Sequence, residues 1–427
     1  MSSNVVEWIR EFLIGYQEKW WELSTDPPEL SLYSIREQRT LERELNQFTR
    51  QFPEGLLRLL EQAGSDSVYL GEAGNRLREF TCRVLPGASH LWESSTAGIP
   101  FFDAATSAAQ VFIQAARDFD PDIAPADIFQ ALRNLWTANG LQLWAGYPVA
   151  STQPLLAYSL LYPYTDNYLD DSRIPLGIKQ EFNRRFQDFL DGGEFVPKNT
   201  HEASLSRLIG MIRDAYPVPE YPQVAQGLNG IHAAQVRSIK QLFPLPGPYH
   251  TDILGISFEK GGCSVLADGF LIHGSLNRDE AQLLFGLGIL LQLIDDLRDF
   301  EIDRRHGHMT IFTQTAAGGW PIDTITNRLF ALADHLADQA GTFNLPGAAI
   351  FEDLFQKGCR FLILEAIARH TRIFTSAYRN YFTSRSPVRL SYLSNLKPRL
   401  KRQFHSINHN ETIPMEMMIR MTVALGR

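Results

Sequence analysis

The chain has 427 residues, of which 44% are hydrophobic and 21% are charged, and its 48 acidic and 40 basic side chains give a formal net charge of −8. This composition excludes a disordered chain, and the negative charge argues against a nucleic-acid partner, because phosphate backbones attract clustered positive charge. The three cysteines, Cys82, Cys263 and Cys359, are widely spaced and odd in number, so they predict no disulfide framework.

Apolar residues recur at helical spacing along most of the chain, and no strand-like alternation is bounded by hairpin turns, so the sequence predicts an all-α protein. In chain order, the predicted helices are 5–23, 34–49, 55–63, 103–118, 125–139, 153–171 and 177–191. They continue with 201–215, 221–242, 251–269, 278–300, 323–340, 348–378, for which a break within the helix stays open, and 396–408. Asn277 and Glu280 give the start of helix 278–300 a capping-box pattern. The connections are too short for flexible linkers, which favours a single large helical domain.

The sequence predicts a cytoplasmic protein without a transmembrane segment. The first residues lack the basic start, long apolar run and small-residue cleavage site of a secretory signal. The most apolar run, 281–294, is followed by two aspartates and falls short of the roughly 20 residues that span a bilayer.

The first of two informative acidic clusters ends the predicted helix 153–171. Asp166 and Asp170 are four residues apart, so their carboxylates lie on one helix face, about 6 Å apart along the axis, and Asp171 follows. The second cluster ends helix 278–300. There Asp295, Asp299 and Asp303 are predicted to form a column with one residue per turn.

Like charges stacked in this way repel each other, and near a helix C-terminus they also oppose the macrodipole. A bound cation would compensate them, and carboxylates without His or Cys partners suit Mg²⁺, whose sites are commonly completed by substrate phosphates. We therefore expect a diphosphate held between the clusters. The alternative is that each cluster is a solvated helix end, paired with Arg173 or with Arg298, Arg304 and Arg305.

Residues 285–299 carry a family resemblance. Phe285-Gly286-Leu287-Gly288 followed by LQLIDDLRD is similar to the FGxxLGxxFQxxDDxxD stretch of prenyl diphosphate synthases, and residues 291–307 also resemble the LQLTNILRDxxED motif of phytoene synthases. Asp166-xxx-Asp170-Asp171 resembles the DxxxD and DxxEDD motifs of phytoene and squalene synthases. The chain thus resembles the class I isoprenoid synthase superfamily. It lacks the Arg-Arg-Gly element that follows the first motif of chain-elongating synthases, an evident Ser-Arg-Ser-Phe-like segment, and the NSE-type triad of ordinary terpene cyclases.

This resemblance implies an all-α fold of the class I terpenoid synthase type, with the active site between helices. Residues 91–427 would form the core, and residues 1–90 would be a helical extension packed on it. The reaction implied is Mg²⁺-dependent ionisation of an allylic prenyl diphosphate, followed by cyclisation or rearrangement, which is a lyase activity on diphosphates. Head-to-head coupling or chain elongation by a prenyltransferase is the alternative within this chemistry, and a non-catalytic helical partner subunit is the alternative outside it. The resemblance leaves open whether the protein forms a homodimer.

The resemblance also implies roles for particular residues. Asp166, Asp170, Asp295 and Asp299 would be catalytic, and several Mg²⁺ ions, replaceable by Mn²⁺, would be held by these four together with Asp171, Asp296 and Asp303. The substrate-binding residues would be Gln292, Arg298, Arg304, Arg305, Arg237, Lys240, Tyr158 and Tyr162. Tyr158 and Tyr162 lie on the face that leads to Asp166, where the prenyl chain would run. The alternative is that both tyrosines are ordinary core residues.

Overall fold

A computed structural model describes residues 4–43, 45–46, 98–170, 173–242 and 251–396. These residues are helical or lie in short connections, and none of them forms a strand. The predicted all-α class is therefore confirmed for this part of the chain. No helix within it is long and apolar enough to cross a membrane. The predicted helices 55–63 and 396–408, apart from residue 396 itself, lie outside the described residues, as does the proposed boundary near residue 90.

The first seven helices labelled here are α1 (Val5–Glu22), α2 (Gly98–Phe119), α3 (Pro125–Ala145), α4 (Gln153–Asp170), α5 (Leu176–Leu190), α6 (Thr200–Ala215) and α7 (Pro222–Ser238). The next are α8 (Ile253–His273), α9 (Arg278–Arg298), α10 (Phe300–His306), α11 (Ile311–Ala317), α12 (Asp323–Gly341), α13 (Ala348–Arg369) and α14 (Ser376–Thr383). A 3₁₀ turn, Ile239–Leu242, extends α7, and residues 35–43 are also helical.

The antiparallel pair α8 and α9 forms the centre of the fold. The two helices approach so closely that a Cβ on Gly288 would lie 2.1 Å from the carbonyl oxygen of Gly261. Only glycine fits this contact, because any side chain would overlap the facing backbone. The apolar run 281–294 lies in α9 and is almost completely buried here, so its hydrophobicity is explained by a core helix.

Helix α1 packs against one side of this pair. Its Tyr16 hydroxyl donates a hydrogen bond to the carbonyl of Gln282 at 2.9 Å, and its Phe12 ring lies 5.9 Å from the ring of Phe285. Helices α3 and α4 pack on the other side of α8, and α6 covers α4. The N-terminal helix is thus part of the main core, since its buried face contacts the central helices directly.

One predicted helix ends earlier in the structure than the sequence pattern suggested, and a break that the pattern left open in another is present. The helix predicted at 278–300 ends at Arg298, where Asp299 takes the C-cap position with φ −94° and ψ 9°, and α10 begins at Phe300. The helix predicted at 348–378 is divided into α13 and α14 by residues 370–375. The capping box of Asn277 and Glu280 at the start of α9 is confirmed.

Candidate functional site

The two acidic helix ends lie at the same end of the bundle, as the register of α4 and α9 on α8 shows. On α4, the Tyr158 hydroxyl donates to the carbonyl of Ser264 in the middle of α8. Asp166 lies two turns beyond Tyr158, toward the N-terminal end of α8. On α9, Asp296 accepts a hydrogen bond from Ser257, which lies in the first turns of α8. Both clusters therefore face the end of the bundle where α8 begins.

Asp166 is half-buried, and its carboxylate accepts a hydrogen bond from Gln235 of α7 at 3.2 Å. Gln235 is itself buried, so this bond fixes the position of the carboxylate relative to α7. Asp171 and the side chain of Asp170 lie outside the described residues.

The second cluster keeps its one-turn spacing although the helix is interrupted. The amide of Asp299 donates to the carbonyl of Asp295 at 2.8 Å, and the amide of Asp303 donates to the carbonyl of Asp299 at 3.0 Å. Burial raises the pKa of the Asp299 carboxyl, and the negative charges of Asp295 and Asp303 raise it further, whereas Arg133 and Arg298 oppose them. Burial is therefore the main cause of the raised pKa of Asp299, and the two carboxylates and two guanidinium groups around it act in opposite directions.

Asp296 is buried in the core and is 5% exposed. Its carboxyl accepts hydrogen bonds from Ser257 at 3.0 Å and from Gln292 at 2.7 Å. Burial is the main cause that raises its pKa to about 7. Both oxygens already have protein partners, so Asp296 is arranged as a buried hydrogen-bonded group, and Gln292 acts on it as a positioning amide.

Arg133 of α3 was not predicted and contacts the second acidic cluster directly. Its half-exposed guanidinium forms an ion pair with Asp295, and its own pKa is raised, mainly by that charge. It also acts electrostatically on Asp299 and on Tyr162, which lies one turn before Asp166. Arg133 is thus coupled to the second acidic helix end and to the tyrosine one turn before Asp166. A single Arg within the apolar stretch 128–144 was the sequence signal that could have identified it.

The four predicted arginines are engaged by neighbouring acidic or carbonyl groups. Arg298 lies 3.7 Å from Asp295 and 3.2 Å from Glu365. Arg237 forms a two-pronged pair with Glu259, and Arg304 and Arg305 both bond to Glu301. Lys240 is exposed in the 3₁₀ turn. Of this set, only Arg298 contacts an aspartate of the predicted metal site in the described part of the chain.

A narrow cavity lies beside α4, next to the two turns that precede Asp166. Its wall is apolar and aromatic, formed by Tyr158, Leu161, Tyr162, Phe186, Leu228 and Ile231, and it also includes the polar residues Thr165, His232 and Gln235. The space inside holds about one or two water molecules. The structure thus places both predicted tyrosines in the cavity wall, where Ser264 holds their hydroxyls.

A fully buried acid, Asp268 of α8, lies behind the two tyrosines and was also missed by the sequence analysis. Asn134 donates to one of its oxygens at 2.9 Å and to the Ser159 hydroxyl at 3.1 Å. The other carboxyl oxygen has no hydrogen-bond partner among the described residues. Burial raises the pKa of Asp268 well above its usual value, so the carboxyl is kept in its neutral form.

The donor chemistry of the site fits a hard divalent cation, because its acidic groups offer carboxylate oxygens. Within the described residues, no three His, Cys, Asp or Glu side chains are grouped closely enough to hold a metal ion by themselves. Any ion at this site would therefore need ligands from the substrate, from water or from residues 170 and 171.

No protein-family model, no curated protein and no solved structure matches this chain.

Proposed function

We propose that this protein is a class I terpenoid synthase that ionises an allylic prenyl diphosphate and cyclises or rearranges the resulting cation. The observation that carries the proposal is the position of the two acidic helix ends at one end of the bundle, together with Arg133 paired to Asp295 and an aromatic cavity beside the turns of α4 that precede Asp166. A diphosphate needs positive charge and metal ligands at one point, and its prenyl chain needs an apolar space next to that point.

At the acidic end, Asp166 on one side and Asp295 and Asp299 on the other would hold Mg²⁺. Bound Mg²⁺ would supply Lewis-acid stabilisation of the departing diphosphate. Arg133 and Arg298 would bind diphosphate oxygens once these compete with Asp295 for the guanidinium groups. Gln235 keeps the Asp166 carboxylate directed toward this region.

In the cavity, the residues would protect a carbocation from water. The rings of Tyr158, Tyr162 and Phe186 line the cavity, and a ring face turned toward the cation would contribute cation–π stabilisation of about 0.5 to 2 kcal/mol. The hydroxyls of both tyrosines are held by Ser264, and burial raises the pKa of each phenol, so neither is an anionic nucleophile that would trap the cation. A prenyl chain exceeds the present space, so we expect substrate binding to move the walls formed by α5 and α7 apart.

Direct assay of the purified full chain tests the proposal. The protein is incubated with Mg²⁺ and geranyl, farnesyl, geranylgeranyl or geranylfarnesyl diphosphate, each alone and with isopentenyl diphosphate. Diphosphate release is measured, and hexane extracts are analysed by gas chromatography with mass spectrometry. Hydrocarbon or alcohol from one diphosphate supports the cyclase, longer diphosphates indicate elongation, and doubled chains indicate head-to-head coupling.

The matched variants are Asp299→Asn and Asp122→Asn. We expect Asp299→Asn to lower diphosphate release at least about 100-fold with an unchanged melting temperature, because it removes charge from the metal site but keeps the side-chain shape. Asp122 is exposed in the loop after α2, and its variant should retain activity. Wild-type protein that releases no diphosphate from any substrate would refute the enzyme and favour a non-catalytic helical subunit.

A further inference from the structure

The wall of the cavity contains a histidine in an unusual state. His232 of α7 is 3% exposed, and its ring packs edge-on against Phe186, with the ring centroids 5.1 Å apart. Its Nε2 lies 3.3 Å from the backbone carbonyl oxygen of Asn183. Its Nδ1 is buried and has no hydrogen-bond partner among the described residues.

The hydrogen-bond partner of Nε2 determines the tautomer. A carbonyl oxygen only accepts hydrogen bonds, so Nε2 carries the hydrogen and donates it to Asn183. Nδ1 therefore carries a lone pair. Burial lowers the pKa of His232 to about 4, so the ring is neutral near pH 7 and this lone pair is available.

A buried nitrogen without a partner is uncommon in folded proteins, because it has lost its bond to water. The other polar groups of the cavity wall differ from His232 in this respect. The tyrosine hydroxyls donate to Ser264, Thr165 donates to the carbonyl of Leu161 at 2.7 Å, and Gln235 donates to Asp166. Among the described wall residues, His232 alone has a basic nitrogen, and that nitrogen is unpaired.

We propose that Nδ1 of His232 is the base that ends the cationic reaction by removing a proton, an inference that rests on the proposed function. The C–H bond next to the cationic carbon breaks, and its electron pair forms the new C=C bond. The proton moves to Nδ1, which gives an imidazolium whose Nε2–H bond to Asn183 is kept. After the alkene leaves, the proton passes to water and the neutral ring is restored.

Three substitutions separate this role from a structural one. His232→Gln keeps an amide N–H that can donate to Asn183 but removes the basic nitrogen. His232→Phe removes both groups and keeps the ring that packs on Phe186. His273→Gln is the matched control, because His273 is a half-buried histidine at the end of α8 that packs on Tyr147 and is not part of the cavity wall.

We expect His232→Gln and His232→Phe to change which products form for each diphosphate released. The share of the main alkene should fall at least about fivefold, and alcohols or alkene isomers should replace it, because another base or water now ends the reaction. His273→Gln should give the wild-type mixture. An unchanged mixture in a folded and active His232→Gln protein overturns the assignment but leaves the proposed function intact.

Wild-type protein that releases no diphosphate overturns both the base and the function, so the two failures are distinguishable. A second measurement does not depend on the variants being folded. ¹⁵N NMR of wild-type protein labelled at histidine should show His232 with hydrogen on Nε2 only, and an ammonium analogue of the cation added with diphosphate and Mg²⁺ should shift the Nδ1 resonance. Hydrogen on Nδ1, or no shift with the bound analogue, would overturn the proposal.

Discussion

The buried carboxyl of Asp268 gives a quantitative prediction about stability and pH. In the fold it is neutral, because it is fully buried with one hydrogen bond from Asn134 and its pKa is raised well above the usual value. In the unfolded chain it ionises with a pKa of about 3.9. Between these two pKa values the native state holds one more proton than the unfolded state, so stability is complete below pH 4 and decreases as the pH rises toward the pKa of the folded state.

The magnitude follows from this proton difference. Each pH unit inside the window lowers the free energy of unfolding by about 1.4 kcal/mol. Asp268→Asn removes the titration while its amide oxygen still accepts the bond from Asn134. The variant should therefore match the wild type near pH 4 and become more stable than it by about 1.4 kcal/mol per pH unit above that, until the pKa of the folded state is reached.

Urea unfolding followed by circular dichroism at pH 4, 5, 6 and 7 measures this difference. The control is Asp122→Asn, which makes the same Asp-to-Asn change at an exposed loop position. At each pH, its free energy of unfolding should stay within about 0.5 kcal/mol of the wild-type value. Parallel wild-type and Asp268→Asn curves would mean that Asp268 is ionised in the fold, and the argument from burial would then be wrong.

Two further predictions concern the central helix pair and the acidic end. Gly288→Ala should lower the free energy of unfolding by about 1 to 3 kcal/mol in urea titrations, because its Cβ would overlap the Gly261 carbonyl. In contrast, Gly15→Ala should stabilise α1 by up to about 1 kcal/mol, since no atom lies near its Cβ, and equal effects at both positions would contradict the packing argument. Arg133→Met should reduce kcat/KM for the prenyl diphosphate at least about tenfold while the protein stays folded, because Asp295 and the diphosphate lose their shared cation. Activity equal to that of the wild type would exclude Arg133 from the site.

Much of the fold could be predicted from the sequence, because helices are specified locally. Apolar periodicity predicted most of the described helices. The Asn277 and Glu280 pattern predicted the start of α9, because the two side chains of a capping box form their hydrogen bonds within one helical turn. The ends were less certain. The sequence predicted one helix through Asp299, but the chain turns into α10 there, and the pattern of aspartates does not reveal such a break.

The sequence by itself also identified the two acidic clusters, because repelling carboxylates at helix ends are visible as a spacing pattern. Only the tertiary structure decided which groups meet them. The sequence pattern predicts only ordinary core helices for the segments that contain Arg133, Asp268 and His232. Their surroundings arise because α3, α7 and α8 pack so that Arg133 reaches Asp295 while Asp268 and His232 are buried away from water. Charge pairing and burial between segments that are distant in the chain depend on how the helices pack, and the apolar periodicity of the sequence does not specify that packing.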